Sequence, residues 1–271
     1  MGPLEAIKKG FGTTNNLIAL ISIVVVFNFI SSIIMLAVIG TNPNPERIAQ
    51  VAVGLIGLFL GIMLLWMLLE GGFISSVISK IKTDEAQIES FLNNGLKFFL
   101  RLWLLSLLAS AIIFLVLILA GILSGIFFAM GGGKNPFFNA IGVIIFLIFM
   151  IGLIPVSLPL LISRFILVAE DNKVIASLKA GVGLFKMYWG RIVCLFLLIL
   201  SITIGVSIIV NLIVFLLSKI IPAGWLFATI NTLLMAVVNG YMAVFGACSI
   251  AGLILSLLAQ PKAATDTGVV Q

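Results

Sequence analysis

Six long stretches of this sequence contain no Lys, Arg, Asp or Glu, and this feature constrains the fold more than any other. The stretches cover residues 17–39, 51–69, 102–133, 135–163, 192–218 and 220–261. Each is close to or longer than the roughly 20 residues that a helix needs to cross about 30 Å of hydrocarbon. Only 9% of all residues are charged, against roughly 25% in an ordinary soluble domain. The sequence therefore predicts an all-α integral membrane protein with six transmembrane helices.

The basic residues predict the orientation of these helices. Three of them (Arg47, Lys134 and Lys219) fall on one side of the six-helix arrangement, and twelve fall on the other. Loops that remain in the cytoplasm carry an excess of Lys and Arg. We therefore expect a multi-pass protein of the cytoplasmic membrane with both termini in the cytoplasm. The twelve residues are Lys8, Lys9, Lys80, Lys82, Lys97, Arg101, Arg164, Lys173, Lys179, Lys186, Arg191 and Lys262.

The composition argues against several function classes. The chain has no histidine, which removes the commonest general base and the commonest transition-metal ligand. Its two cysteines, Cys194 and Cys248, lie in different apolar stretches and suit packing better than metal binding or a disulfide. The net charge of +6 arises from basic residues outside the apolar stretches. It therefore does not indicate a nucleic-acid partner. We expect no cofactor, no metal, no catalytic residues and no nucleic-acid partner.

The short polar segments next to the apolar stretches resemble one another and recur at a regular spacing. Gly10, Gly95 and Gly181 each end a similar short segment, and they are separated by 85 and 86 residues. Eight residues after the second and third glycines stand Trp103 and Trp189. A constant period of this kind is typical of repeat architectures.

The period predicts three parallel hairpin repeats of about 85 residues, each with an outward and a returning helix and each preceded by a cytoplasmic amphipathic segment. Together the repeats form a single six-helix membrane domain over residues 1–261. A short cytoplasmic tail follows. The predicted repeats cover about 1–82, 83–170 and 171–261, and the tail covers 262–271.

The third short segment shows the amphipathic pattern most clearly. Its apolar stripe follows helical spacing with lysines along one edge, so it can rest at the membrane surface while the basic groups reach lipid phosphates. The alternative is a polar linker helix that packs only on its neighbours. The stripe consists of Ile175, Leu178, Val182, Phe185 and Trp189. The predicted contacts to anionic headgroups are Lys97, Arg101, Lys179, Lys186 and Arg191.

Glu70 is the polar residue that the predicted membrane interior accommodates least easily. At equivalent positions of the other repeats stand Pro155 and Tyr241, the latter after Asn239. Because an intramembrane carboxylate is costly, it faces the bundle, takes up a proton or reaches a wet cavity. Glu70 and Asn239 are therefore the predicted intramembrane polar site. The alternative is that the second helix leaves the membrane early, so that Glu70 lies near the interface and residues 71–81 continue as a helix close to the cytoplasm.

Part of the third repeat resembles a known pattern, in the stretch AEDNKVIASLKAGVGLFKMYWGRIVCLFLL. The matching positions are Glu170, residues 176–178, Leu184, Phe185, Trp189 and Arg191. In these residues the chain is similar to poorly characterised six-helix prokaryotic membrane proteins, which are related to the membrane domain of some glycerophosphoryl diester phosphodiesterases. The resemblance implies an integral membrane domain with polar interface segments. It does not imply phosphodiesterase activity, because this chain has no soluble catalytic barrel.

Two functions from different classes remain. The favoured one is a non-enzymatic membrane protein, either a structural or accessory subunit or an organiser of its lipid environment. Its expected partners are membrane lipids, mainly anionic, with a membrane-protein partner or a second copy as further partners. The alternative is a small transporter or lipid translocator with a cavity near Glu70.

Overall fold

The computed structural model describes residues 1–39, 45–86, 88–132, 135–221 and 224–260, and within these ranges the chain is helical without a strand. The predicted tail, 262–271, lies outside the described residues. The described residues form, in chain order, α1 (Pro3–Asn15), α2 (Ile18–Ile39), α3 (Pro45–Thr83), α4 (Phe91–Gly131), α5 (Pro136–Gly152), α6 (Ile154–Ala169), α7 (Val174–Ile220) and α8 (Trp225–Leu258).

Six spans within the described ranges are long and apolar enough to cross a membrane, which confirms the predicted number of crossings. Five belong to α2, α3, α4, α7 and α8, and the remaining span contains both α5 and α6. This is the architecture of a multi-pass membrane protein. The spans are Ile18–Val38, Gly54–Thr83, Phe91–Gly131, Pro136–Ala169, Val174–Ile220 and Trp225–Leu258.

Local sequence explains where several helices begin. Helix α1 starts at Pro3, and the backbone N–H of Gly2 donates to the Glu5 carboxylate at 3.3 Å. Helix α5 starts at Pro136, where the side chain of Asn135 accepts a hydrogen bond from the backbone N–H of Phe137 at 3.1 Å. Proline suits the first helical turn because the N–H that it lacks has no partner there, and an asparagine side chain satisfies one of the remaining donors.

The helices differ from the apolar stretches at their ends and at their bends. Helix α3 continues through Glu70 to Thr83, which both interpretations of Glu70 allow, so the point at which this helix leaves the membrane stays a prediction. The fourth crossing breaks at Leu153, between α5 and α6 and two residues before Pro155. Proline lacks an N–H and crowds the preceding turn, which accounts for this break. Helix α7 bends at Tyr188 (φ −126°, ψ 27°), a position that contains no proline and was not predicted.

The chain divides into two compact units. The first contains Met1–Phe99 together with Trp189–Gln271, and the second contains Leu100–Tyr188. Both α4 and α7 therefore contribute residues to each unit. In both helices the division falls close to the point where the sequence predicts that the short segment joins the membrane span.

In the first unit, α8 is the central helix and packs against α1, α2 and α3. In the most apolar part of α8, 61% of the residues are buried, against 11% to 17% in the other described spans. Gly240 permits the close approach of α2, since a Cβ there would lie 2.5 Å from Val25 Cγ2 and 3.2 Å from its backbone nitrogen. Phe27 of α2 also contacts Trp66 of α3, with ring centroids 5.3 Å apart.

In the second unit, α4 and α6 supply the buried core. Leu102 and Leu105 of α4 and Ile162 and Ile166 of α6 are at most 1% exposed. Arg164 on α6 also donates a hydrogen bond to Ser106 Oγ on α4 at 3.1 Å. Side-chain hydrogen bonds of this kind join helices within a membrane, where apolar burial against lipid supplies little driving force.

Candidate functional site

Two of the three periodic glycines pack directly on a serine of another helix. A Cβ on Gly10 would collide with Ser249 Oγ of α8 and lie 3.2 Å from the Ser249 Cα. A Cβ on Gly181 would collide with Ser163 Oγ of α6 and lie 2.8 Å from the Pro159 carbonyl oxygen. Only glycine allows these backbones to approach so closely, as small residues do at helix contacts in membranes. Ser163 and Ser249 are themselves 86 residues apart.

The second glycine makes its close contact at a different level. A Cβ on Gly95 would lie 2.5 Å from the Leu68 carbonyl oxygen of α3, and a Cβ on Gly72 would collide with the Phe91 carbonyl oxygen. Ile78 of α3, which stands 85 residues before Ser163, is larger than serine. The close approach therefore shifts towards the start of α3, where Gly71 and Gly72 leave room.

Burial follows the same period as the glycines at several positions, although not at all of them. Four residues before each periodic glycine, Ala6, Phe91 and Ser177 are buried. Three sets of residues at the same spacing on α3, α6 and α8 are buried as well. These sets are Phe73, Leu158 and Val244; Ile74, Pro159 and Phe245; and Val77, Ile162 and Cys248.

The contact between α1 and α8 is filled by side chains. Phe11 stacks on Phe245 with ring centroids 4.1 Å apart and an angle of 28° between the ring planes. The Tyr241 hydroxyl donates to Asn15 Oδ1 at 3.0 Å. An aromatic stack and a hydrogen bond therefore close this interface in the first unit.

The contact between α6 and the first part of α7, in the second unit, contains a cavity of about 400 Å³. Its wall is almost entirely apolar and includes one charged residue, Lys186. Three members of the predicted apolar stripe, Leu178, Val182 and Phe185, face this cavity, whereas Ile175 is 66% exposed. The remaining lining residues are Ile112, Pro155, Val156, Pro159 and Leu160.

The predicted headgroup contacts do not share one environment. Lys97, Lys179, Lys186 and Arg191 are exposed. Lys97 Nζ also lies 5.0 Å from the centroid of the Phe98 ring. Within the described residues, no carboxylate forms an ion pair with Lys179 or Lys186.

Arg101 differs from the other four because it is engaged by the turn between α6 and α7. Its Nη1 lies 2.6 Å from Asp171 Oδ1 and donates to the carbonyl oxygens of Asp171 and Asn172 at 3.3 and 3.5 Å. Asp171 has a left-handed backbone (φ 51°), which Asp tolerates better than most residues. Arg101 therefore holds this turn on α4, a role that sequence reasoning missed because the two residues are 70 positions apart.

The two residues of the predicted intramembrane polar site lie in different surroundings. Glu70 is 8% exposed and is followed by the buried stretch Gly71, Gly72 and Phe73 of α3. Asn239 is exposed on α8, next to the buried Gly240. Glu70 therefore lies inside the helix packing, whereas Asn239 faces outward. Neither residue lines the cavity beside α6.

No family model, curated protein or solved structure matches this chain. The resemblance to the membrane domain of some glycerophosphoryl diester phosphodiesterases therefore stays a prediction.

Proposed function

We propose that this chain is a non-enzymatic multi-pass membrane protein that organises the anionic lipids around it or serves as a structural or accessory subunit of a larger membrane assembly. The observation that carries the proposal is the arrangement of the short segments. One face of each segment is fixed on a returning helix at Gly10, Gly95 or Gly181. On or beside the second and third segments, Lys97 and Lys179 are exposed, as headgroup contacts require.

The proposed architecture consists of three parallel hairpin repeats, each introduced by an amphipathic segment at the cytoplasmic surface. Support comes from the period that relates the three glycines, the two serines and the buried sets. The segments pack in a regular order. The first contacts α8, the second contacts α3 and the third contacts α6, so each lies on a returning helix that the proposal assigns to a different repeat.

The proposed location is the cytoplasmic membrane with both termini inside the cell, as the excess of basic residues on one side favours. Most of the described spans expose large apolar side chains on their outer faces. In a bilayer these faces contact lipid tails, a partner protein or a second copy of the chain.

The lipid part of this proposal is testable in vesicles that mix phosphatidylglycerol with phosphatidylcholine. Replacement of Lys97, Lys179, Lys186 and Arg191 by Gln is expected to abolish preferential retention of phosphatidylglycerol, measured by mass spectrometry of bound lipids. Each cation near an anionic surface contributes about 1 kcal/mol. An unchanged lipid preference in this variant would contradict the proposal.

Lys80→Gln is the matched control for these substitutions. The ammonium group of Lys80 already pairs with Asp84 at 3.0 Å and also donates to the Asp84 carbonyl oxygen at 2.6 Å. The control variant is therefore expected to keep the lipid preference of the original chain.

A small transporter or lipid translocator is the second candidate function, and the burial of Glu70 in a membrane span favours it. Buried carboxylates in membranes commonly mark proton or ion pathways. The close contact of Gly71 with the start of α4, where a Cβ would lie 3.1 Å from the Gly95 carbonyl oxygen, leaves little space on that side of α3. We therefore place this function second.

A further inference from the structure

The cavity beside α6 lies at an interface whose counterpart in the first unit, between α1 and α8, is bridged by a stacked pair of rings. In the repeat frame, Val182 and Pro159 of the cavity wall correspond to Phe11 and Phe245 of the α1–α8 contact. The two phenylalanines stack on each other across that contact. Valine and proline are smaller, and about 400 Å³ remains open between α6 and α7. This volume lies in the range of roughly 300–1,000 Å³ that is typical of ligand pockets.

The polar residues also differ between the α1–α8 contact and the α6–α7 contact. Tyr241 and Asn15 close the α1–α8 contact with a hydrogen bond. The corresponding positions in the second unit are Pro155 and Lys186. Proline has no side-chain polar group to pair with the lysine, and Lys186 is exposed while lining the cavity. The interface thus combines an open apolar volume with a cation at its edge.

This combination matches the two ends of a membrane lipid. The apolar wall is compatible with a hydrocarbon chain, which is the bulk medium around a membrane span. The ammonium group of Lys186 lies at the end of a flexible stem that can extend towards a phosphate. A partner helix would not need a positive charge here, whereas an anionic headgroup would be attracted by it.

We propose that this cavity binds one acyl chain of a bilayer glycerophospholipid with a net negative headgroup, whose phosphate contacts Lys186. The site rests on the proposed function, because it assigns one defined lipid position to a protein that gathers anionic lipids. Val182 and Pro159 provide the space, Leu178 and Phe185 provide the apolar wall, and Lys186 provides the preference for negative charge.

Photocrosslinking tests the site in the full-length chain. The protein is reconstituted in phosphatidylcholine vesicles with a phosphatidylglycerol that carries a photoactivatable group on one acyl chain, and crosslinked peptides are mapped by mass spectrometry. Crosslinks are expected to concentrate on Leu178, Val182 and Phe185. Lys186→Gln is expected to lower the preference for photoactivatable phosphatidylglycerol over its phosphatidylcholine analogue at this site by about fivefold.

Two further variants test the space itself. Val182→Phe introduces the ring that Phe11 supplies in the first unit and is expected to reduce crosslinking in the cavity several-fold. Val182→Ala enlarges the cavity and is expected to retain crosslinking, so the pair remains informative if the phenylalanine variant folds poorly. Leu96→Phe, at the same repeat position of the second copy, and Lys80→Gln, whose ammonium group already pairs with Asp84, are the matched controls. Both are expected to leave cavity crosslinking unchanged.

The opposite results would overturn the site. Crosslinks spread evenly over the outward faces of the spans, or unaffected by Val182→Phe, would show that the cavity holds no lipid chain. Disulfide-linked dimers formed by Val182→Cys, in a background without Cys194 and Cys248, would show that a second copy occupies it. If cavity crosslinks are absent while the preferential retention of phosphatidylglycerol persists, this site is wrong and the proposed function stands.

Discussion

At the scale of single residues, the sequence indicates which positions are unusual but not what they contact. Glu70 stands out because a carboxylate is costly in a membrane span, and its burial in α3 agrees with a residue that faces other helices. The Arg101 cation and the Asp171 carboxylate are equally visible in the sequence. Their pairing is not, because it depends on how the turn after α6 folds back onto α4.

Glu70→Gln separates a packing role from a proton role. Glutamine keeps the size of the side chain and one acceptor oxygen, replaces the other oxygen by an NH2 donor, and cannot release a proton. The favoured function predicts that lipid retention and unfolding temperature of the variant match those of the original chain across pH. A transport function with Glu70 as a proton carrier predicts that the pH dependence of transport disappears, which flux measurements with proteoliposomes would detect.

At the scale of helices, the sequence predicts the spans well and their junctions less well. Charge-free stretches are sufficient to identify a crossing, because a helix in lipid satisfies its own backbone and needs only apolar side chains. The junctions depend on local contacts. After the first short segment, α1 ends at Asn15 and the chain turns before α2 begins. At the corresponding position of the second segment, α4 continues as one helix. At the corresponding position of the third segment, α7 bends at Tyr188.

The cavity beside α6 was also beyond prediction from the sequence. The period identifies Val182 and Phe11 as equivalent positions, but both residues are apolar and a pattern of apolar spacing does not distinguish them. What distinguishes them is the volume that each fills against a returning helix. That volume becomes evident only when the opposing residues, Pro159 and Phe245, are known.

Paired glycines on α7 test how this helix packs on α6. Gly181→Ala places a methyl group against Ser163 and 2.8 Å from the Pro159 carbonyl oxygen, and overpacking of this kind costs about 1–3 kcal/mol. Gly183 has open space around its Cβ position, so Gly183→Ala gains about 1 kcal/mol of helix propensity. We expect the first substitution to lower the thermal unfolding temperature in detergent and the second to leave it unchanged or raise it.

Gly10 and Gly12 form an equivalent pair on α1, where Gly10 meets Ser249 and Gly12 has open space. If the short segments are structural repeats, alanine substitutions in the two pairs are expected to change the unfolding temperature in the same way. Equal unfolding temperatures for Gly181→Ala and Gly183→Ala, measured by circular dichroism, would show that the close contact with α6 does not stabilise the protein.

At the scale of the whole molecule, the account depends on three hairpins of the same orientation. The six spans agree with it, and the period that relates the short segments favours it. Each hairpin crosses the membrane twice, so the segments that precede the second and third hairpins must lie on one side. Their basic residues can gather lipids at the cytoplasmic surface only if both segments lie on that side of the membrane.

Side-specific cysteine labelling measures this arrangement most directly. Single cysteines at Glu85 and Gly183, which are exposed, are introduced into a chain without Cys194 and Cys248 and treated with a membrane-impermeant maleimide. The account predicts that both react in inside-out vesicles and remain unlabelled in intact cells, whereas a cysteine at the exposed Asn135, in a predicted outer turn, shows the reverse. Labelling of residues 85 and 183 from opposite sides of the membrane would contradict the parallel repeats and the lipid function proposed from them.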